Sequence, residues 1–349
     1  MTEYEINPVG GDYAAVFTAL NALPNEFVDD YKLIVTGATA ETGTHAANLW
    51  NHAGHYVEIT ADIPSGGDPT TGPLLSLNPG VNEWLSLAPP GATQNHTFKI
   101  HDLNIRRTGG GVAPTIFLAS WGIVNATNNI EVYNNVFDGN ALAHHVFTLV
   151  NQNSLGYFRF YNNKCFGFTR VQLNLSTIVV PGGIIIENNT IDGQDVGGGA
   201  QEGILVGNSK CTLRNNIFIR NDSNDIRVGG AASVVIREGN ATSDATGDAG
   251  LQNIVSADEF ESLTDTDADY LFLKDGAVTG DFTRKPAGDV YAKQKILFTP
   301  EITYVQVLRF LPDMALRQLM QRLTLQEDHD PALRDGIQLV AMKGYTHND

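Results

Sequence analysis

Charge, cysteine and long apolar runs are all scarce in this chain of 349 residues. Charged residues make up 17% of it, and acids outnumber bases by 39 to 22, for a net charge of −17. Nucleic acid and anionic membranes repel so acidic a protein, so neither is expected as a partner. No stretch approaches the ~18 apolar residues of a membrane span. The opening Met1-Thr2-Glu3-Tyr4-Glu5 is acidic and holds no apolar run, so no Sec signal peptide is read there. The expectation is a chain that stays in the cytoplasm or leaves it by another route, such as inside a virus particle.

What the chain does have is a repeat. Adjacent asparagines stand at Asn134-Asn135, Asn162-Asn163, Asn188-Asn189 and Asn215-Asn216, with gaps of 28, 26 and 27 residues. Four and two residues before each pair come Ile130 and Val132, Phe158 and Phe160, Ile184 and Ile186, Cys211 and Leu213; three residues after its first Asn come Phe137, Cys165, Ile191 and Phe218. Alternation before the pair predicts a short strand with one buried face, and the polar pair turns the chain. Weaker copies flank these: Phe98, Ile100 and Ile105 bracket Asp102-Leu103, and Val234 and Ile236 precede Glu238-Gly239. A period this short, with no helical segment inside it, predicts an all-β parallel solenoid with one coil per repeat. Coils stack about 4.8 Å apart, so the asparagines form a column of mutually bonded amides, a structural ladder. Asn also tolerates the left-handed backbone of a sharp corner. Cys165 and Cys211 fall in different inward columns two coils apart, which predicts free buried thiols.

Three regions follow. Residues 1–30 read as a cap, with a helix over roughly 13–22 that starts on Asp12 and buries Ala14, Phe17 and Leu20. Residues 31–283 form the solenoid, with Lys32–Gly37 as its first coil and Tyr56–Ile59 as its second. Excursions fall in 64–97 and 106–128, the latter carrying Gly109-Gly110-Gly111, and in the glycine-rich stretch 194–203. Residues 284–349 differ in charge, with 9 basic and 8 acidic residues against 13 and 31 before them. Leu316, Leu319, Met320 and Leu323 follow a helical stripe there, which serves as a cap, an oligomerisation element or a docking face.

The capping helix, the ladder, the irregular stretch 252–283 and the closing stretch Arg284–Tyr291 together resemble the pectate-lyase-like right-handed parallel β-helix superfamily. The resemblance covers about 250 residues and implies architecture more than activity. Members that cleave acidic polysaccharides carry Gly-His-Gly, Arg-x-Lys or Ca²⁺-binding Asp clusters. The sequence has no Gly-His-Gly, no Arg-Ile-Lys, no Arg-x-Pro-x-x-Arg and no Asp-Asp pair in a ladder coil. The best acidic candidates are Asp138 and Asp192, each four residues after the first Asn of its pair, with Glu202 as a third. Two coils place the aspartates about 9.6 Å apart, at the outer edge for an inverting glycosidase. Asp-Gly is also ordinary turn chemistry at both positions.

No metal and no cofactor are expected: Asp265–Asp269 lacks the Gly and Glu of a tight Ca²⁺ loop, and the neighbours His144 and His145 point apart. Tyr133, Tyr161, Glu187, Arg214 and Arg237 are read as one outward column. The resemblance implies a structural virion protein, as in phage head-decoration and tailspike proteins, assembled in the host cytoplasm. Its partners would be further copies of itself as a homotrimer, other virion proteins, and surface glycans. A polysaccharide depolymerase is the alternative reading, and a glycan-binding module without turnover is the second.

Overall fold

A computed structural model describes residues 1–43, 45–46, 52–66, 68–78, 83–86, 96–109, 115–120, 128–150, 155–177, 183–194, 196, 201–207, 210–229, 234–249, 251–267 and 270–273. The expected closing stretch 284–291 and the stripe Leu316, Leu319, Met320 and Leu323 lie outside the described residues. The fold is an all-β parallel solenoid, whose described residues form three sheets of nine, eight and seven strands. Sheet 1 has nine strands, beginning with Thr2–Ile6, Tyr31–Val35, Val57–Ala61 and His96–His101. It continues through Asn128–Tyr133, Leu155–Tyr161, Ile184–Glu187 and Lys210–Arg214 to Val234–Glu238. Sheet 2 has eight short strands, among them Thr39–Glu41, Leu74–Leu77, Asn104–Arg107, Val136–Asp138, Lys164–Phe166 and Thr190–Asp192. Sheet 3 has seven, including His145–Val150, Leu173–Thr177 and Glu202–Val206.

The corner from sheet 1 to sheet 2 explains the asparagine pairs. Its first residue has a left-handed backbone at Asp102, Asn134, Asn162, Asn188, Asn215 and Gly239, with φ between 49° and 68°. Asn, Asp and Gly bear that conformation at least cost. The second residue makes the ladder. The Nδ2 of Asn135 donates to Asn163 Oδ1 (3.1 Å), Asn163 to Asn189 (3.1 Å), Asn189 to Asn216 (2.9 Å) and Asn216 to Asn240 (2.9 Å). Each backbone N–H along the column donates to the same oxygen. The column is directional, so its last amide needs only an acceptor. Asp248 supplies it, taking both the backbone N–H and the Nδ2 of Asn240. Cys165 and Cys211 are buried and are not joined in a disulfide, as expected.

The top coil departs from the expected register. Cys211 pairs with Val235 and Leu213 with Arg237, so Val234 and Ile236 do not continue the inward columns; Ile236 is 56% exposed. The corner there is Gly239-Asn240, one residue later than read from the sequence.

Residues 1–30 also differ in detail. Thr2–Ile6 joins sheet 1 beside Tyr31–Val35, and the helix is Val16–Ala22 with Val16, Ala19 and Leu20 buried. Asp12 does not cap it; Asp12 accepts the N–H of Glu5. The cap comes from the first coil, where buried Glu41 accepts the N–H of Val16 (2.8 Å) and of Phe17 (2.9 Å). No helix among the described residues is long and apolar enough to cross a membrane.

Candidate functional site

Sheet 1 strands alternate buried and half-buried residues, whereas sheet 2 strands such as Val136–Asp138, Lys164–Phe166 and Thr190–Asp192 are buried at every position. Both faces of sheet 2 are therefore covered in these coils, whereas Ala40 on the first sheet 2 strand is exposed. Its outer face carries a second apolar cluster, in which Val136, Phe166, Ile217 and Ile219 meet Ile254, Phe260, Tyr270, Leu271 and Leu273. The chain after the last coil thus folds back over sheet 2 as a strap.

Asp138 and Asp192 lie beneath it. They share one outward column with Phe166 between them, as the repeat predicts. Asp192 is fully buried and accepts from Arg220 Nε (2.9 Å), Tyr270 OH (2.7 Å) and the backbone of Gln194 (2.9 Å), and it is ion-paired with Arg220 Nη2. Gln194 Nε2 donates to the same Tyr270 hydroxyl at 2.9 Å. Asp138 is 4% exposed, paired with Arg106, and accepts the N–H of Asn140 at 2.7 Å. Burial raises its pKa against the opposing pull of Arg106. Lys164 donates to the Tyr270 carbonyl, with Phe272's ring 3.8 Å from its Nζ. Glu202 is on a different sheet, buried and ion-paired with Arg227 at 2.6 Å. The three candidate carboxylates do not converge on one site. Each bonds an arginine from an adjacent coil.

The outward column of sheet 1 stacks His101, Tyr133 and Tyr161, with ring centroids 4.5 and 4.8 Å apart and planes within 7°. Aromatic faces that sugars would use are here turned on one another. Above Tyr161 the column holds Glu187, Arg214 and Glu238, not Arg237, and Arg214 pairs with Glu238 at 3.2 Å. The next column is Glu3, Lys32, Glu58, Lys99, Glu131 and Arg159, alternating in sign at every coil. Opposite charges on adjacent strands contribute roughly 0.2–1 kcal/mol each, so this face suits regular stacking. The signal was present in the sequence as charges spaced one repeat apart, but the irregular lower coils hid the register.

His145 donates to the Val171 carbonyl, and burial lowers its pKa to about 4. Among the described residues no group of three His, Cys, Asp or Glu side chains could hold a metal ion. Asp265 accepts from Gln194 (3.3 Å) and Asp267 from Ser262 (2.7 Å), while Asp269 lies outside the described residues.

Asp225 is the most perturbed described carboxylate, raised by burial to about 6 from 3.8, with Asn221 and Ser243 bonding it. Between those two pH values the folded chain keeps a proton that the unfolded chain has released. The stability this site contributes is therefore full below about pH 4 and lost as pH rises through 6. The stability of the parent minus that of Asp225→Asn should fall by about 2–3 kcal/mol between pH 4 and 7. Urea titrations across that range check it; a flat difference would mean that Asp225 titrates as an ordinary carboxylate.

Comparison with family models, curated proteins and solved structures returns no match for this chain.

Proposed function

We propose that the chain is a structural β-solenoid, a stiff building element of an assembly, and not a glycan-cleaving enzyme. The observation that carries this reading is the engagement of Asp138, Asp192 and Glu202: all three are buried and ion-paired with arginine. A general acid or base must reach its substrate, and a buried carboxylate committed to an arginine and, at Asp192, to a tyrosine under a strap does not. The stacked aromatic column likewise supports sheet packing over sugar binding. The resemblance of the repeat to phage β-helix proteins motivates placing the chain in a virion, as a homotrimer.

One set of experiments tests the proposal. The purified chain is incubated with bacterial capsule and lipopolysaccharide fractions, followed by reducing-end and unsaturated-uronate assays. No product is expected. Product formation that Asp192→Asn or Asp138→Asn removes would replace the structural reading with a depolymerase. Light scattering on the same preparation should report three copies, and a stable monomer would remove the trimer from the proposal.

A further inference from the structure

Arg107 ends the sheet 2 strand Asn104–Arg107, in the inward column where Glu41 and Leu77 precede it. Its side chain is fully buried. Nε donates to the Gly109 carbonyl, which fixes the plane of the guanidinium. Nη1 and Nη2 have no hydrogen-bond partner among the described residues. A guanidinium in a protein does not shed its proton, so a full charge is buried together with four N–H bonds. Burial lowers its pKa, and no carboxylate among the described residues opposes that shift.

Six of the other seven described arginines differ from Arg107, and the seventh, Arg170, is exposed to solvent. Arg106, Arg159, Arg214, Arg220, Arg227 and Arg237 are each ion-paired with a carboxylate, although all of them are more exposed than Arg107. Glu41 stands two coils below Arg107, about 9.6 Å away by strand spacing. Its oxygens are occupied by Val16, Phe17 and Trp84. Across positions 78–95 and 108–114 of the sequence the one acid is Glu83, which opens the sheet 3 strand Glu83–Ser86. A buried, unmatched charge is among the most costly arrangements a fold can hold, whereas a planar guanidinium fork matches two oxygens of one anion.

We propose that Arg107 anchors a binding site for a small oxyanion, in which the fork of Nη1 and Nη2 holds two oxygens of a phosphate, sulfate or carboxylate. The site lies where sheet 2 ends in that coil. Because the anchor is buried, the ligand is a small ion or a single anionic group, taken up during folding or local opening. The ligand binds the folded chain and not the unfolded one, so it stabilises the fold by mass action.

Thermal melts of the full chain in inorganic phosphate, sulfate or acetate, with ionic strength matched by chloride, test this. The melting midpoint of the parent should climb with the logarithm of phosphate concentration. Arg107→Met, which keeps length and removes charge, should show no climb, and in chloride alone should melt no lower than the parent. Arg107→Lys should respond with roughly tenfold weaker affinity, because an ammonium lacks the fork. The rank among the three anions identifies which oxyanion the site takes. An equal climb in the parent and the Met variant, or none in the parent with any anion, overturns the proposal. So does a loss of stability in Glu83→Gln that is absent when Arg107→Met is also present, since the counter-ion would then be the chain's own. If Arg107→Met does not fold, calorimetric titration of the parent with phosphate decides: saturable heat above the chloride control upholds the site, and its absence removes it.

Discussion

Asn189→Leu will destabilise the chain by about 4 kcal/mol or more, whereas Asn188→Leu, one residue earlier, will cost about 1 kcal/mol. Asn189 is fully buried; its oxygen accepts the N–H and Nδ2 of Asn163, and its own Nδ2 donates to Asn216 Oδ1 and the Phe160 carbonyl. Leucine leaves the two Asn163 donors buried without that acceptor and takes a donor from Asn216 Oδ1, which keeps the residue 189 backbone N–H, and from the Phe160 carbonyl; each unsatisfied group costs about 1–3 kcal/mol. Asn188 contributes mainly its backbone, at φ 57°, and its Oδ1 has no hydrogen-bond partner among the described residues. Asn188→Gly should accordingly be near neutral. Asn189→Asp should also be costly, since a carboxylate would face Asn216 Oδ1 and the Phe160 carbonyl with no proton to give. Asp248 escapes that cost because it stands at the end of the column, where only acceptance is needed. Urea unfolding of the four variants checks the series. Equal losses at 188 and 189 would sink the division of labour within each pair.

Glu41→Ala should cost about 3–5 kcal/mol and release the N-terminal helix from the first coil. The Glu41 carboxylate is fully buried, and burial raises its pKa, yet it accepts from Val16 N–H, Phe17 N–H and, at 3.3 Å, the indole of Trp84. It is thus the cap of helix Val16–Ala22, which has no side-chain cap of its own. The positive end of the helix favours a carboxylate there. Alanine leaves the three donors in an apolar interior, and Glu41→Gln should be little better, because its amide hydrogens would replace one of the accepting oxygens. Trp84 fluorescence during denaturation reports the event directly. A variant that unfolds within about 1 kcal/mol of the parent would show that apolar packing of Val16, Ala19 and Leu20 holds the helix without the carboxylate.

The sequence by itself determined the solenoid. Its inward columns Ile130–Phe158–Ile184–Cys211 and Phe137–Cys165–Ile191–Phe218 appear in register as the repeat predicts. The left-handed corners at Asn134, Asn162, Asn188 and Asn215 were legible too. The reason is that adjacent coils are also adjacent repeats, so a contact 4.8 Å away in space is written as a fixed offset along the chain. What breaks that offset was decided only in three dimensions. Glu41 caps a helix that begins 25 residues earlier, and Asp12, the local signal for that role, bonds elsewhere. Asn240 joined the ladder although its repeat is shortened to 24 residues after Asn216, which moved Arg237 out of the outward column and Glu238 into it. Tyr270 reaches back 78 residues to Asp192 and covers the column that holds Asp138 and Asp192, the best acidic candidates in the sequence. A lone carboxylate beside a turn glycine reads the same whether it faces solvent or a strap. Its meaning is fixed by burial and by its arginine, and both come from parts of the chain that the repeat does not relate to it.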